Sequence, residues 1–303
     1  MEKVYKRQFI AILLANLLFS ATSWGQAWKL TETMTATLDD KGVLTISTTK
    51  DAEAMPDMGF NIATNHAPWF GSDVHNRSVR SVIIENGVTS IGGYSFSNHW
   101  ALTSVEIPNS VTTIGQSAFN YCMALASVTI PNSVTTIGEY AFHVCHSLQS
   151  LTIPQSVTTI GKYAFAESDI TTVTIPNSVT AIGASAFSGC RFLTDVTIPN
   201  SITAIEAGTF AQCSSLTSVT IPNSVTTIED AAFHLCTSLT SVTIPNSVIT
   251  LGAWVFSECL ALSSVEIPNS VTTIGEYAFN SCVELTSIAI PNAVTAIGKG
   301  AFF

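Results

Sequence analysis

A chain of 303 residues that is 47% apolar yet only 11% charged must hold water with hydroxyls and amides, and Ser, Thr and Asn supply much of the remainder. The formal net charge is −10 with no cluster of Lys or Arg, which argues against nucleic acid and against anionic membrane surfaces as partners. Cations are scarce even though the N-terminal leader holds three of the eleven.

Residues 1–25 read as a secretory signal peptide. Lys3, Lys6 and Arg7 form a positive start, an apolar run extends from Phe9 to Phe19, and small residues at Ala21, Ser23 and Gly25 suit cleavage. The run is shorter than the ~20 residues that a bilayer requires, and no later run is long enough, so no membrane span is expected. The expected location is secreted or at the cell surface.

Residues 26–80 follow no repeat. Residues 35–38 and 43–48 have the pattern of two short strands joined by Asp39-Asp40-Lys41-Gly42, a hairpin-type turn. Beyond them Pro56, Pro68, Trp69 and Phe70 stand out. A repeat array has an open apolar end, so this segment is read as a small β-containing N-terminal cap, with Trp69 and Phe70 plugging the first coil.

From residue 81 to 303 the chain repeats. An Ile recurs at Ile84, Ile107, Ile130, Ile153, Ile175, Ile198, Ile221, Ile244, Ile267 and Ile290, every 23 residues apart from one step of 22. Pro follows it in all but the first, where Glu85 stands, and a Phe lies twelve residues after each one, from Phe96 to Phe302. In the unit that starts at Leu216, Val219 and Ile221 point to one face of a strand while Ser218 and Thr220 point to the other. Pro222 ends the strand, Asn223 and Ser224 turn the chain, Val225 and Ile228 face in again, and Ala232 and Phe233 close the back. One coil cannot bury so many apolar groups alone, but stacked coils can. The expectation is a right-handed, leucine-rich-repeat-like solenoid of about ten coils with one parallel β-sheet, a rod roughly 45–50 Å long at about 4.8 Å per strand.

The consensus Leu-x-x-Val-x-Ile-Pro-x-x-Val-x-x-Ile-Gly-x-x-Ala-Phe-x-x-Cys resembles the leucine-rich repeat of the BspA-like surface proteins, across residues 81–303. Gly42-Val-Leu-Thr-Ile-Ser47 followed by Pro68-Trp69 also resembles the segment that precedes such arrays. Where the better-known leucine-rich repeat has an Asn in its turn, this unit has Ser224, so an Asn ladder is not expected. The resemblance implies a bacterial, non-catalytic interaction or adhesion protein whose partner is an extracellular protein or glycan.

Catalytic chemistry finds little support. Seven cysteines fall fifteen residues after a strand Ile, at Cys122, Cys145, Cys190, Cys213, Cys236, Cys259 and Cys282, and read as an inward packing column. The coil around residues 164–168 lacks its Cys and is one residue short. His143, His146 and His234 make a weak metal pattern without a third ligand. No nucleophile elbow, zinc-protease helix or phosphate loop occurs, and no carboxylate pair recurs on one face, so no catalytic residue, metal or cofactor is assigned.

The candidate binding surface is the outward strand face, marked by Glu106, Thr129, Thr152, Thr174, Asp195, Thr197, Thr220, Thr243 and Glu266. A second outward column, two positions before each Phe, carries Tyr94, Tyr140, Tyr163, Trp254 and Tyr277, of which Tyr140, Tyr163, Trp254 and Tyr277 are candidate aromatic contacts. Solvated Ser and Thr in good strand-forming positions explain the first column equally well, and packing against the next coil explains the second. The alternatives are a secreted polysaccharide-active enzyme, a purely structural surface-layer component, or recognition of ice or mineral by the hydroxyl rows. The coil that stops at Phe303 also offers an end for self-association.

Overall fold

The computed structural model describes residues 25–59, 67–70 and 78–303. The expected leader, residues 1–25, falls almost wholly outside the described residues, as do parts of the expected cap. The chain opens with strands β1 (Gln26–Lys29), β2 (Met34–Leu38), β3 (Val43–Thr48) and β4 (Glu53–Ala54), and a 3-10 turn at Pro68–Phe70. β2 and β3 are antiparallel. Their turn is held by the Asp39 carboxylate, which accepts from the Lys41 and Val43 amides at 2.9 and 2.8 Å. Gly42, at φ +83°, is required there, since a Cβ would come within 2.5 Å of the Ser78 carbonyl. β3 then pairs in parallel with β5 (Ser81–Ile84), so the hairpin becomes the edge of the array's own sheet.

Behind β5 the strands stack in parallel in successive coils, except at residues 127–129 and 287–289, which form no strand. Ser150–Thr152, Thr172–Thr174, Asp195–Thr197, Ser218–Thr220, Ser241–Thr243 and Ser264–Glu266 form one six-stranded sheet. Their central residues Leu151, Val173, Val196, Val219 and Val242 are buried while both flanking residues are exposed. This half-buried pattern is the period of two read from the repeat.

A second row of short parallel strands, including Thr136–Ile137, Thr159–Ile160, Thr227–Ile228 and Ala296–Ile297, accompanies the expected sheet on another side of each coil. The Thr-Thr-Ile segment after the turn is β-branched, which favours extended backbone. Coils there donate to the one before them at every step but one, as Thr226 N does to Thr203 O at 2.9 Å. The structure has about nine turns, consistent with ten recurring Ile positions delimiting nine full intervals.

The core is a set of columns. From Phe96 to Phe302 the phenylalanine rings stack at 5.2 to 5.6 Å, one per coil. Trp69 begins the series: it is 1% exposed, stacks on Phe96 at 5.8 Å, and donates from its indole nitrogen to Ser95 O at 3.1 Å. Burial of each such ring stabilises the fold by roughly 1.5–3 kcal/mol.

Side chains tie the coils together as well. Ser224 Oγ donates to Ile202 O at 2.6 Å, and Ser110, Ser133, Ser156, Ser201 and Ser247 do the same in their coils. The Ser that replaces the turn Asn therefore builds a ladder of its own, directed at the preceding coil rather than at its own turn. The hydroxyls of Thr217 and Thr226 likewise bond carbonyls one coil back.

Candidate functional site

Three of the hydroxyl columns are thus used inside the stack, and that isolates the strand face. Thr152, Thr174, Thr197, Thr220, Thr243 and Glu266 lie in register on successive strands, and all six are exposed. Glu106, Thr129 and Asp195 are exposed too, although residues 127–129 form no strand, which divides this face after Glu106. The Ser218 and Thr220 hydroxyls make no hydrogen bond among the described residues. The six-stranded sheet thus presents a ladder of free donors and acceptors that ends in the carboxylate of Glu266, while Glu106 lies beyond the break.

The aromatic column has an unexpected backbone. Tyr94, Ser117, Tyr140, Tyr163, Ser185, Ala231, Trp254 and Tyr277 all have φ between 53° and 59°, and Gly208 and Gly300 occupy the same position at φ 62°. A left-handed conformation costs a residue with a Cβ roughly 1–2 kcal/mol, and glycine avoids that cost. The two glycines show that this coil geometry needs no side chain here. Four of the column's five rings nonetheless form two pairs: Tyr140 stacks on Tyr163 at 4.8 Å with planes 7° apart, and Trp254 on Tyr277 at 4.3 Å and 21°. Tyr163 is 36% and Trp254 39% exposed, while their partners are half-buried. Between the pairs the column holds only Ser185, Gly208 and Ala231.

On the same coils the second strand row is interrupted. At every other step from Ile91 to Ile297 an amide bonds the Ile or Leu carbonyl one coil back, as Gly183 N does to Ile160 O at 2.9 Å. Between Ile182 and Glu206 that bond is absent, as is the one between Thr203 N and Thr180 O. In most coils a Gly follows the Ile or Leu of this row. A Cβ added to Gly183 would sit 2.5 Å from Lys162 N, so these coils pack backbone against backbone. The step opens at the first place where another residue, Glu206, stands in for that Gly. Glu229 then stacks on Glu206 with the ladder restored, 2.9 Å to Ile205 O. The result is a cleft of about 350 Å³, whose polar lining includes Glu139, Lys162, Glu206, Thr180 and Thr203.

The remaining candidates are structural. All seven thiols are free and buried. Each Sγ donates to the carbonyl of the Phe one coil back, such as Cys213 to Phe187 O at 3.3 Å. Burial pushes Cys145, Cys190 and Cys236 up to about 12, which disfavours their thiolates. In the short coil Ser168 Oγ takes over, 2.8 Å from Phe142 O. Counting 23 residues on from Cys145 would have found it. His143 Nδ1 lies 3.0 Å from Asn120 Oδ1, with Nε2 3.9 Å from Glu167, and His146 is 3.8 Å from Asp169. Among the described residues no three His, Cys, Asp or Glu side chains are grouped to hold a metal, and no helix is long and apolar enough to cross a membrane. In the last coil Ile290 and Ile297 are 40% and 52% exposed, against 5% and 1% for Ile267 and Ile274. A hollow of about 370 Å³ opens there, lined in part by Phe279, Leu285, Ile288 and Phe302.

Comparison with solved structures finds a leucine-rich repeat protein from Eubacterium ventriosum that is 27% identical, with a TM-score of 0.57 over 92% of this chain and 94% of that one. A leucine-rich cell surface protein from Faecalibacterium prausnitzii is also 27% identical, with a TM-score of 0.54 and 93% of each chain covered. The pneumococcal vaccine antigen PcpA shares the fold at 18% identity, with a TM-score of 0.58 over 91% of this chain and 78% of that one. The search of curated proteins returned no match. The sequence profile of the BspA-type leucine-rich repeat region matches residues 74–194 and 182–303, six copies together. With most of its length matched, the chain belongs to the BspA-type leucine-rich repeat family.

Proposed function

We propose that this protein is a non-catalytic interaction scaffold, secreted or displayed at the cell surface, that meets extracellular protein or glycan partners with its strand face. The observation that carries this reading is the unused hydroxyl ladder Thr152–Thr174–Thr197–Thr220–Thr243. Neighbouring Ser and Thr columns hold the coils together, whereas this one is left to solvent in a flat, regular array. The similar F. prausnitzii protein is described as a cell surface protein, and the leader-like residues 1–25 agree with export. A regular polar surface of this kind suits many weak contacts with an extended partner.

The test is a binding screen of the purified protein against extracellular-matrix proteins, cell surfaces and glycans, repeated with Thr197→Lys, Thr220→Lys and Thr243→Lys combined. Loss of a detected interaction in the triple variant, with an unchanged melting temperature, is the expected result. An interaction indifferent to those three changes would move the site elsewhere. Fractionation of the producing cells tests the location.

A further inference from the structure

Two departures from the repeat fall on the same coils. The aromatic column is emptied to Ser185, Gly208 and Ala231, and the adjoining strand row opens between Ile182 and Glu206. Lys162 and Ala184, which line the cleft, immediately precede Tyr163 and Ser185 in the chain, so cleft and emptied column are continuous. The rings of each pair stack from coil to coil, so their planes lie across the long axis. The free face of Tyr163 therefore looks toward Trp254 over four coil steps, about 19 Å at the usual strand spacing. Gly300 shows how such rings sit: a Cβ placed on it would come within 2.5 Å of the Tyr277 ring, which covers the next coil.

We infer that this trough is a binding site for an uncharged polysaccharide chain, with sugar rings laid between Tyr163 and Trp254. This goes beyond the strand-face reading, adding a second surface and its ligand class. Several features select that class. Pyranose rings present flat C–H faces that pack on aromatic faces, and their hydroxyls need acceptors and donors at the rim. Glu206 supplies an exposed carboxylate and Lys162 an exposed ammonium on the cleft side, and Asp230 is exposed on the next coil. Carboxylates at the trough and a net charge of −10 disfavour acidic polysaccharides. The floor of the column between the pairs is Ser, Gly and Ala, with His234 edge-on to Trp254 at 6.3 Å at the far end. The two rings that border the trough are the exposed members of their pairs, at positions where the backbone favours glycine.

The experiment titrates the purified protein with uncharged oligosaccharides built on glucose, xylose and N-acetylglucosamine. Polygalacturonate and a proline-rich peptide serve as comparators. Trp254 is the exposed tryptophan among the described residues, so its emission reports occupancy, and calorimetry gives the affinity. Tyr163→Gly and Trp254→Gly remove the rings while keeping a residue suited to the backbone. We expect at least one uncharged oligosaccharide to bind, each glycine variant to weaken it about tenfold or more, and melting temperatures to hold or rise. The strand-face variant Thr220→Lys/Thr243→Lys should bind sugar unchanged. The inference is overturned if no uncharged sugar binds, if acidic polymer or peptide binds in its place, or if binding survives the glycine changes. It is overturned equally if those variants melt lower, which would mark the rings as packing groups. If a partner is lost from the strand face while the trough binds no sugar, this inference fails and the surface-interaction reading stands.

Discussion

Ser168 Oγ donates to the Phe142 carbonyl at 2.8 Å, the position from which Cys Sγ donates to a Phe carbonyl in the neighbouring coils. The column is thus defined by a small donor rather than by sulfur. Ser168→Cys should change stability little, because donor and burial are kept. Ser168→Ala leaves a buried carbonyl without its side-chain donor and is expected to cost about 1–3 kcal/mol. Urea unfolding of both variants measures the difference.

The same geometry makes the thiols unreactive. In the native protein the six innermost cysteines should resist iodoacetamide at pH 8, because burial raises their pKa values. Cys282, pushed up only to about 11 and 9% exposed near the open coil, should react first. All seven should label once the chain is unfolded. Mass spectrometry of labelled peptides gives the order, and rapid native labelling of Cys213 or Cys236 would contradict the inward column.

Trp69 carries the phenylalanine stack into the cap. Trp69→Ala removes a fully buried ring, with its contacts to Trp28 and Phe96 and its bond to Ser95, and should cost about 3–5 kcal/mol. Phe233→Ala should cost a similar amount in mid-array. In an array that folds by neighbour contacts, the Trp69 change should loosen the N-terminal coils preferentially, which hydrogen exchange at Phe96 and Phe119 would show.

Glu206→Gly should close the interrupted step. The amides of residues 203 and 206 then gain partners at Thr180 O and Ile182 O, and hydrogen exchange should slow at both while Glu229 is unaffected. The cleft should narrow at the same time, with a corresponding loss of any sugar binding there. Unchanged exchange would mean that something other than the Glu206 side chain holds the step open.

His99 occupies the Cys position of the first array coil, and burial lowers it to about 4 from the usual 6.5. The unfolded chain therefore binds its proton at higher pH than the folded one. The contribution of neutral His99 is complete above about pH 6.5 and is lost as pH falls toward 4, on the order of 3 kcal/mol in all. His99→Cys should flatten the dependence of unfolding free energy on pH across that window. Glu53 adds a weaker acid sensitivity. Its carboxylate accepts from Thr48, Thr31 and Thr33, which hold it down to about 2, so its contribution is present above the ordinary carboxylate range and fades as pH falls toward 2.

Periodicity by itself determined which way nearly every array residue points. Because each coil stacks on a near copy of itself, the recurrence of Val219, Ile221, Val225, Ile228 and Phe233 at fixed intervals specifies inward columns, and Ser218 and Thr220 follow as the outward ones. The same spacing distinguished a packing cysteine from a metal ligand. Periodicity does not contain the ångström-scale distance between backbones 22 or 23 residues apart. Only the tertiary structure decided that Ser224 reaches the coil before it, that the segment around Ile228 pairs into a second row, and that Ser168 stands in for cysteine. It also decided that Tyr163 and Trp254 sit on left-handed backbone, and that the second strand row opens between Ile182 and Glu206 to leave a cleft on the Tyr163 side.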